Sequence, residues 1–272
     1  KWVRVLLWGI VALRLLLPIT IESPLSLIPS AEVIPQNITT STAPALQSGI
    51  SIVNHTINPI MTQGVIQSGN IWESVLSVAS VIWVIGMAGI LLYGMVSYLI
   101  LQWQIRARIE IQDGVYFATG FLSLYFLILP AEIYLPSDLP EASRIHVLSH
   151  ERAHLLRRDH WWKPLGFALL TVNWFNPAIW LAYLLLCRDI ELACDERVIQ
   201  SFTAEEKKAY SAALLRCSVN PRRITACPLA FGEVGVKQRI RSVLHYKKPA
   251  FWIVLLAVVL TVVLAAGLLT DP

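Results

Sequence analysis

Three long apolar stretches constrain this chain more than any other feature of its sequence. They cover residues 3–21, 76–102 and 249–268, and each is long enough, or nearly so, to cross a bilayer core that needs about 20 residues. Only 15% of the residues are charged and 56% are hydrophobic, whereas an ordinary soluble domain carries about 25% charged residues. We therefore predict a multi-span membrane protein with transmembrane helices at 1–21, 76–102 and 249–268.

The distribution of basic residues predicts which segments face the cytoplasm. No Lys or Arg lies between residues 22 and 70, whereas 103–248 holds 19 of the 22 in the chain. Because cytoplasmic segments carry an excess of Lys and Arg, we expect an extracellular loop at 22–75 and a cytosolic domain at 103–248. The sequence starts with Lys1 and reaches an apolar segment at once, so we also expect that the native N-terminus is missing.

Two further apolar runs lie inside the expected cytosolic domain. The run at 114–136 is rich in aromatic and β-branched residues and contains Gly and Pro, which favours buried strands. The run at 164–187 is interrupted by Asn and Pro at 173–177, so we predict a membrane-associated hairpin of two helices; a hairpin that crosses the bilayer twice remains an alternative. The linker at 220–248 ends in a basic helix that we expect to be attracted to anionic lipid. The expected fold is mainly α with a minor β part.

The sequence His150-Glu151-Arg152-Ala153-His154 has the spacing of a zinc site. Positions i and i+4 share one face of a helix, so both imidazoles can bind one zinc ion, and Glu151 falls near a bound water as a catalytic base. Glu191, 37 residues after His154, is the expected third ligand. Two histidines and one glutamate leave a fourth position open, as a catalytic zinc site requires.

Several residues near this motif have predicted supporting roles. Asp195 follows Glu191 by one helical turn, where its carboxylate can orient a ligating imidazole. Cys194 is expected to be a small packing group, because a thiolate ligand would close the site. We interpret His146 as a surface or packing residue. Asp159 fits two roles equally well, an exposed turn or a partner of the site.

Three segments carry a resemblance to a known family. PSDLPEASRIHVLSHERAHLLRRDHWWK, NWFNPAIWLAYLLLCRDIELACDERVI and LAFGEVGVKQRI resemble the BlaR/MecR-type membrane zinc metallopeptidases, the transducers of bacterial β-lactam sensors. The resemblance implies a gluzincin-like zincin domain in a bacterial cell membrane. It implies His150, His154 and Glu191 as zinc ligands, Glu151 as base and Asp195 as a supporting carboxylate.

The same resemblance implies partners and a regulatory cleavage. The expected substrate is a cytosolic transcriptional repressor, and self-cleavage is expected in the linker near Ala230 and Phe231. The extracellular sensor of the β-lactam receptors has no counterpart in the residues after the last span, so we expect that it is missing or truncated. Direct nucleic-acid binding by this chain is not expected, and a homodimer is left open.

We therefore expect a sensor-transducer that cleaves its repressor after an extracellular signal. One alternative is a constitutive membrane quality-control zinc protease, although that class would lack WFNPAIW and the AFG segment of the linker. The other is a receptor that keeps zinc for structure only. Glu151 favours catalysis, since a structural site needs no base.

Overall fold

The described part of the chain is mainly helical, with one small sheet. The computed structural model describes residues 2–16, 45, 51–68, 71–104, 108–112, 115–118, 124–125, 133–136, 140–219 and 235–269. The helices are α1 (Trp2–Leu16), α2 (Ser51–Ser68), α3 (Ile71–Gln104), α4 (Glu141–Arg157), α5 (Asp159–Val172), α6 (Pro177–Ile199), α7 (Ala204–Val219), α8 (Val236–Leu244) and α9 (Phe251–Leu269). The strands are β1 (Arg108–Gln112), β2 (Val115–Ala118), β3 (Leu124–Tyr125) and β4 (Ile133–Pro136).

The chain divides into two compact units. The first unit consists of Lys1–Gly9 and Gly89–Leu256, and it contains α4 to α8 and the sheet. The second unit consists of Ile10–Ala88 and Ala257–Pro272, and it contains α2. The three helices at the predicted spans, α1, α3 and α9, each contribute residues to both units.

Among the described helices, α3 is long and apolar enough to cross a membrane. Its apolar part, Ser74–Ile100, is 27 residues long and agrees with the span predicted at 76–102. Helix α9 has a shorter apolar part, Phe251–Gly267, and α1 has 15 residues; the rest of the predicted first span lies outside the described residues. The spans at 1–21 and 249–268 therefore stay predictions.

The four strands form one mixed sheet in the order β1-β2-β4-β3. Strand β2 pairs antiparallel with β1 and parallel with β4, which pairs antiparallel with β3. Three of the four strands lie within 114–136, where the sequence predicts strands. Ile133 is buried and packs against apolar side chains of α4, namely Val147, Leu148 and Leu155. The sheet therefore supports the helix that carries the two histidines.

Helices α5 and α6 form the pair that the break at 173–177 predicts. The Asn176 side chain caps α6 by accepting a hydrogen bond of 2.9 Å from the backbone N–H of Ala178, and Pro177 suits the first helical position because its fixed φ is already helical. A Cβ atom at Gly166 of α5 would come within 2.7 Å of Leu186 in α6. The absence of that atom lets the two helices pack closely.

Helix α8, which we expect to be attracted to anionic lipid, also packs against protein. Val243 is fully buried and belongs to one apolar cluster with Ile199 of α6 and Tyr210 of α7. The prediction placed this helix at the membrane surface because its basic side chains and apolar face fit a lipid interface equally well. In the structure Val243 meets protein while Leu244 is exposed, and the contact of Val243 brings α8 to the residues of the predicted metal site.

Candidate metal centre

The two histidines of α4 and Glu191 of α6 bring three donor atoms together. His150 and His154 are buried, and their Nε2 atoms lie 3.1 Å apart. The Glu191 Oε2 atom lies 3.3 Å from Nε2 of His150 and 3.6 Å from Nε2 of His154. Residues that the sequence predicts as ligands thus meet in the structure, although Glu191 follows His154 by 37 residues and lies on another helix.

These distances fit a single metal ion. Zinc holds imidazole nitrogen and carboxylate oxygen at about 2.0–2.2 Å in a tetrahedral arrangement, so such ligand atoms lie about 3.3–3.6 Å from one another. The observed spacings of 3.1, 3.3 and 3.6 Å are close to that range. The donor set, two nitrogens and one oxygen, is also typical of catalytic zinc. We conclude that His150, His154 and Glu191 are arranged as candidate metal ligands.

The other ring nitrogen of His150 is held by a phenol and a carboxylate. His150 Nδ1 lies 2.8 Å from the Tyr210 hydroxyl and 3.3 Å from Asp195 Oδ1. The Tyr210 hydroxyl itself donates to Asp195 Oδ1 at 2.7 Å. A hydrogen atom on Nδ1 satisfies both acceptors and leaves the lone pair of Nε2 free for a metal. Asp195 therefore lies where the sequence predicts a supporting carboxylate.

His154 is held in the same way by Asp159, whose role the sequence leaves open. His154 Nδ1 lies 2.8 Å from Asp159 Oδ2, and Asp159 also accepts from the Arg157 Nε at 3.1 Å. The tight turn between α4 and α5 allows this contact. Arg158 adopts a left-handed conformation with φ of 57° and is the single residue between the two helices. Asp159 is 2% exposed, which excludes the alternative of an exposed turn.

Two cations keep the Glu191 carboxylate ionised. Lys163 Nζ donates to Oε1 at 2.9 Å, and Arg239 Nη1 lies 3.2 Å from Oε2. Burial by itself raises the pKa of Glu191, but Lys163, His154 and Arg239 together hold that pKa well below its usual range. Glu191 is therefore a carboxylate, the form that binds metal.

Asp195 is ionised for the same reason. Arg239 contacts both of its oxygens, with Nε at 2.8 Å from Oδ2 and Nη2 at 2.7 Å from Oδ1. Burial opposes the charge, but the guanidinium and His150 lower the pKa of Asp195 below its usual range. The anionic form is the one that can accept from His150 and Tyr210.

The protonation of the histidines is coupled to metal binding. Burial lowers the pKa values of His150 and His154, but carboxylates prevail and raise both pKa values above the usual range: Asp195 beside His150, and Glu191 and Asp159 beside His154. Imidazoles bind metals only when deprotonated, so a metal ion competes with protons for these two side chains.

Cys194 lies closer to the histidines than expected for a simple packing residue. Its sulfur and a ring nitrogen of each histidine lie within 4.8 Å of one another, so Cys194 is a second candidate for the third ligand. The side chain is fully buried, and its Sγ contacts the backbone oxygen of His150 at 3.2 Å as a thiol donor. The thiol proton therefore points to the backbone oxygen. The Oε2 atom of Glu191, by contrast, faces the Nε2 atoms of both histidines.

Three other predictions concern the catalytic base, a neighbouring histidine and the cleavage position. Glu151 is 6% exposed and follows His150 on α4, but its role as a base is not tested by these contacts. His146 packs edge to face against Phe202 and Tyr210, with ring centroids 6.1 and 6.2 Å apart, as a packing residue would. The proposed cleavage position near Ala230 and Phe231 lies outside the described residues.

Sequence reasoning missed three residues of the centre. Tyr210, Lys163 and Arg239 all contact a candidate ligand or Asp195. Tyr210 and Arg239 come from α7 and α8, which lie 60 and 89 positions beyond His150. The only signal for Arg239 was the basic character of the linker, which was interpreted as lipid contact.

The fold and these contacts define a mainly helical protein with a candidate site for one metal ion. Comparison with known proteins identifies the family of this chain. The model of the family described as BlaR1 peptidase M56 matches residues 3–115 and 125–243. The chain therefore belongs to this peptidase family, and the resemblance seen in the sequence is confirmed.

The individual relatives that match share only a small fraction of identical residues with this chain. The "Methicillin resistance mecR1 protein" of Staphylococcus aureus, including strain Mu50, and that of Staphylococcus epidermidis are each 23% identical to this chain over 131 residues. The alignment covers 45% of this chain and 22% of each relative. The chain thus matches about a fifth of the length of these relatives.

Proposed function

We propose that this protein is a membrane zinc metalloendopeptidase that acts as a sensor-transducer. After an extracellular signal it cleaves a cytosolic transcriptional repressor. The observation that carries the proposal is the convergence of His150 Nε2, His154 Nε2 and Glu191 Oε2 within 3.6 Å, in a chain of a peptidase family. Glu151, the proposed base, follows the first of these ligands on α4 and is buried.

The chain's own residues account for the expected chemistry. When bound, a zinc ion would lower the pKa of a water molecule to about 7 and polarise a peptide carbonyl. Glu151 then takes the proton of the attacking water and transfers it to the leaving amine. Tyr210, Asp195 and Asp159 hold the Nδ1 side of the two histidines, so both Nε2 atoms stay directed at the ion.

A cytoplasmic location of the centre is supported by the distribution of Lys and Arg. The candidate ligands lie within 103–248, which holds 19 of the 22 basic residues, whereas 22–70 holds none. Because cytoplasmic segments carry an excess of Lys and Arg, a three-span topology in the bacterial cell membrane, with 22–75 outside and 103–248 inside, accounts for this pattern.

The cytoplasmic location in turn limits the substrate. A protease centre inside the cell acts on cytosolic proteins, and the matched relatives are named for methicillin resistance. We propose a repressor as the substrate in trans and the linker near Ala230 and Phe231 as a substrate in cis.

The test compares cleavage by full-length protein in nanodiscs. Wild type, Glu151→Gln and the control Glu141→Gln are incubated with a repressor encoded beside the gene, and the fragments are identified by mass spectrometry. Glu141 lies on the same helix as Glu151 but is exposed. Cleavage by wild type and Glu141→Gln, with a loss of about 10²–10⁴ in Glu151→Gln, supports the proposal.

Two other outcomes would identify the alternatives. Cleavage of many unrelated unfolded proteins without preference for the repressor would indicate a quality-control protease. Zinc binding without cleavage of any substrate, under stimulus or without it, would indicate a receptor that uses zinc for structure only.

A further inference from the structure

Arg239 reaches the candidate metal centre from the helix that precedes α9. Its guanidinium makes a two-point contact with Asp195, with Nε at 2.8 Å from Oδ2 and Nη2 at 2.7 Å from Oδ1. The Arg239 side chain is 13% exposed and that of Asp195 is 1% exposed. Paired contacts of this kind between Arg and a carboxylate fix both orientation and distance, so Arg239 sets the position of a buried carboxylate that in turn contacts His150.

The same guanidinium also meets two of the candidate ligand atoms. Nη1 lies 3.2 Å from Glu191 Oε2, and Nη2 lies 3.2 Å from His150 Nε2. Arg239 therefore touches one ligand from each of the two helices α4 and α6. The guanidinium comes from α8, a third helix, and so links the two helices that carry the candidate ligands.

The position of Arg239 is determined by the packing of α8. Val243, one helical turn after Arg239, is fully buried and shares an apolar cluster with Ile199 and Tyr210. Tyr210 is also the residue whose hydroxyl contacts His150 and Asp195. One surface between α8 and α7 thus combines apolar packing with the support of the metal ligands.

We propose that Arg239 is a positioning residue of the metal centre, supplied by α8 to hold Glu191 and Asp195 in the geometry that binds the ion. This inference rests on the proposed function and extends it, since it makes the helix before α9 part of the site. Movement of α8 then alters the ligands directly, which gives the linker a route by which it regulates the centre.

A competing role for Arg239 makes the opposite prediction. A cation beside the ligand atoms repels a metal ion, so a guanidinium that merely competes would weaken binding, and its removal would strengthen it. A positioning residue has the reverse effect, because loss of partners behind metal ligands typically reduces metal affinity or activity about 10–100-fold. The sign of the change therefore separates the two roles.

The experiment measures metal affinity and the visible spectrum of the Co²⁺-loaded protein, in nanodiscs and with the full chain. The variants are Arg239→Gln, Arg239→Lys and the matched control Arg241→Gln, whose side chain lies on the same helix but is exposed. We expect zinc affinity, determined by competition with a chelator, to fall about 10–100-fold in Arg239→Gln. Arg239→Lys keeps the charge without the paired contact, so its zinc affinity falls by less. The zinc affinity of Arg241→Gln matches that of wild type. The Co²⁺ bands shift only in the two Arg239 variants.

Unchanged or tighter zinc binding in a folded Arg239→Gln, with wild-type Co²⁺ bands, overturns the inference. If Arg239→Gln loses its thermal unfolding transition, Arg239→Lys decides: a folded variant with weaker binding supports the inference, and one with wild-type binding overturns it. Neither readout uses cleavage. Wild type that binds zinc but cuts nothing therefore contradicts the proposed function alone.

Discussion

The carboxylate of Asp159 lies 2.8 Å from Nδ1 of His154, although the two residues belong to different helices. The left-handed conformation of Arg158 joins those helices without a loop and directs Asp159 back to the histidine. Because Asp159 is 2% exposed, it is a fixed partner of the candidate ligand and not a solvated group.

Replacement of Asp159 by Asn is expected to weaken zinc binding about 10–100-fold, because His154 loses the charged partner that fixes its orientation. The measurement is zinc affinity by chelator competition, with Glu205→Gln as a control at an exposed carboxylate of α7. Equal affinities in Asp159→Asn and wild type would show that the contact does not support a ligand.

The identity of the third ligand is tested by a pair of variants on α6. Glu191→Gln removes the negative charge and replaces one carboxylate oxygen by an NH2 group, so we expect it to lose zinc. Cys194→Ala removes the sulfur and should keep about one zinc per chain. Elemental analysis of both purified proteins is the measurement. Zinc retained by Glu191→Gln and lost by Cys194→Ala would assign the thiolate as the ligand.

Local spacing accounts for the part of this centre that the sequence predicted. His150 and His154 are one helical turn apart, as are Glu191 and Asp195, so a helix is sufficient to place each pair on one face. The same local rule predicted the pair α5 and α6, because Asn and Pro at 173–177 interrupt an apolar run.

The other contacts depend on how separate helices pack. Tyr210 and Arg239 carry no local pattern that relates them to His150, since α7 and α8 reach it only in three dimensions. The contact of α8 with the metal centre was not predicted, because an amphipathic basic helix fits both lipid and an acidic protein surface. Cys194 was taken as packing alone, because no spacing rule gives its distance from both histidines.

Acid is expected to destabilise the protein partly through Asp195. Burial raises its pKa, but Arg239 and His150 hold the folded-state pKa below the value of about 3.9 for an unfolded chain. The stabilisation by its ionised form is thus fully present above that value and is lost as the pH falls below about 4. In the presence of a chelator, the melting temperature of Asp195→Asn should decrease less than that of wild type between about pH 5 and 3. Parallel decreases would contradict the assignment.

The membrane topology predicts which cysteines can be labelled in intact cells. In a chain with Cys217 and Cys227 replaced by Ser, an impermeant maleimide should label Ser41→Cys, which lies in the predicted extracellular loop. Glu205→Cys, at a site whose side chain is 82% exposed, should react only after lysis. The opposite pattern would place the metal centre outside the cell.

The central claim is that His150, His154 and Glu191 hold a zinc ion with which Glu151 hydrolyses peptide bonds. Its most direct test is zinc content together with cleavage, measured on the same nanodisc samples of wild type, Glu151→Gln and His154→Ala. We predict about one zinc per chain in wild type and Glu151→Gln, little zinc in His154→Ala, and cleavage by wild type alone. Wild type without zinc, or cleavage that persists in Glu151→Gln, would contradict the account.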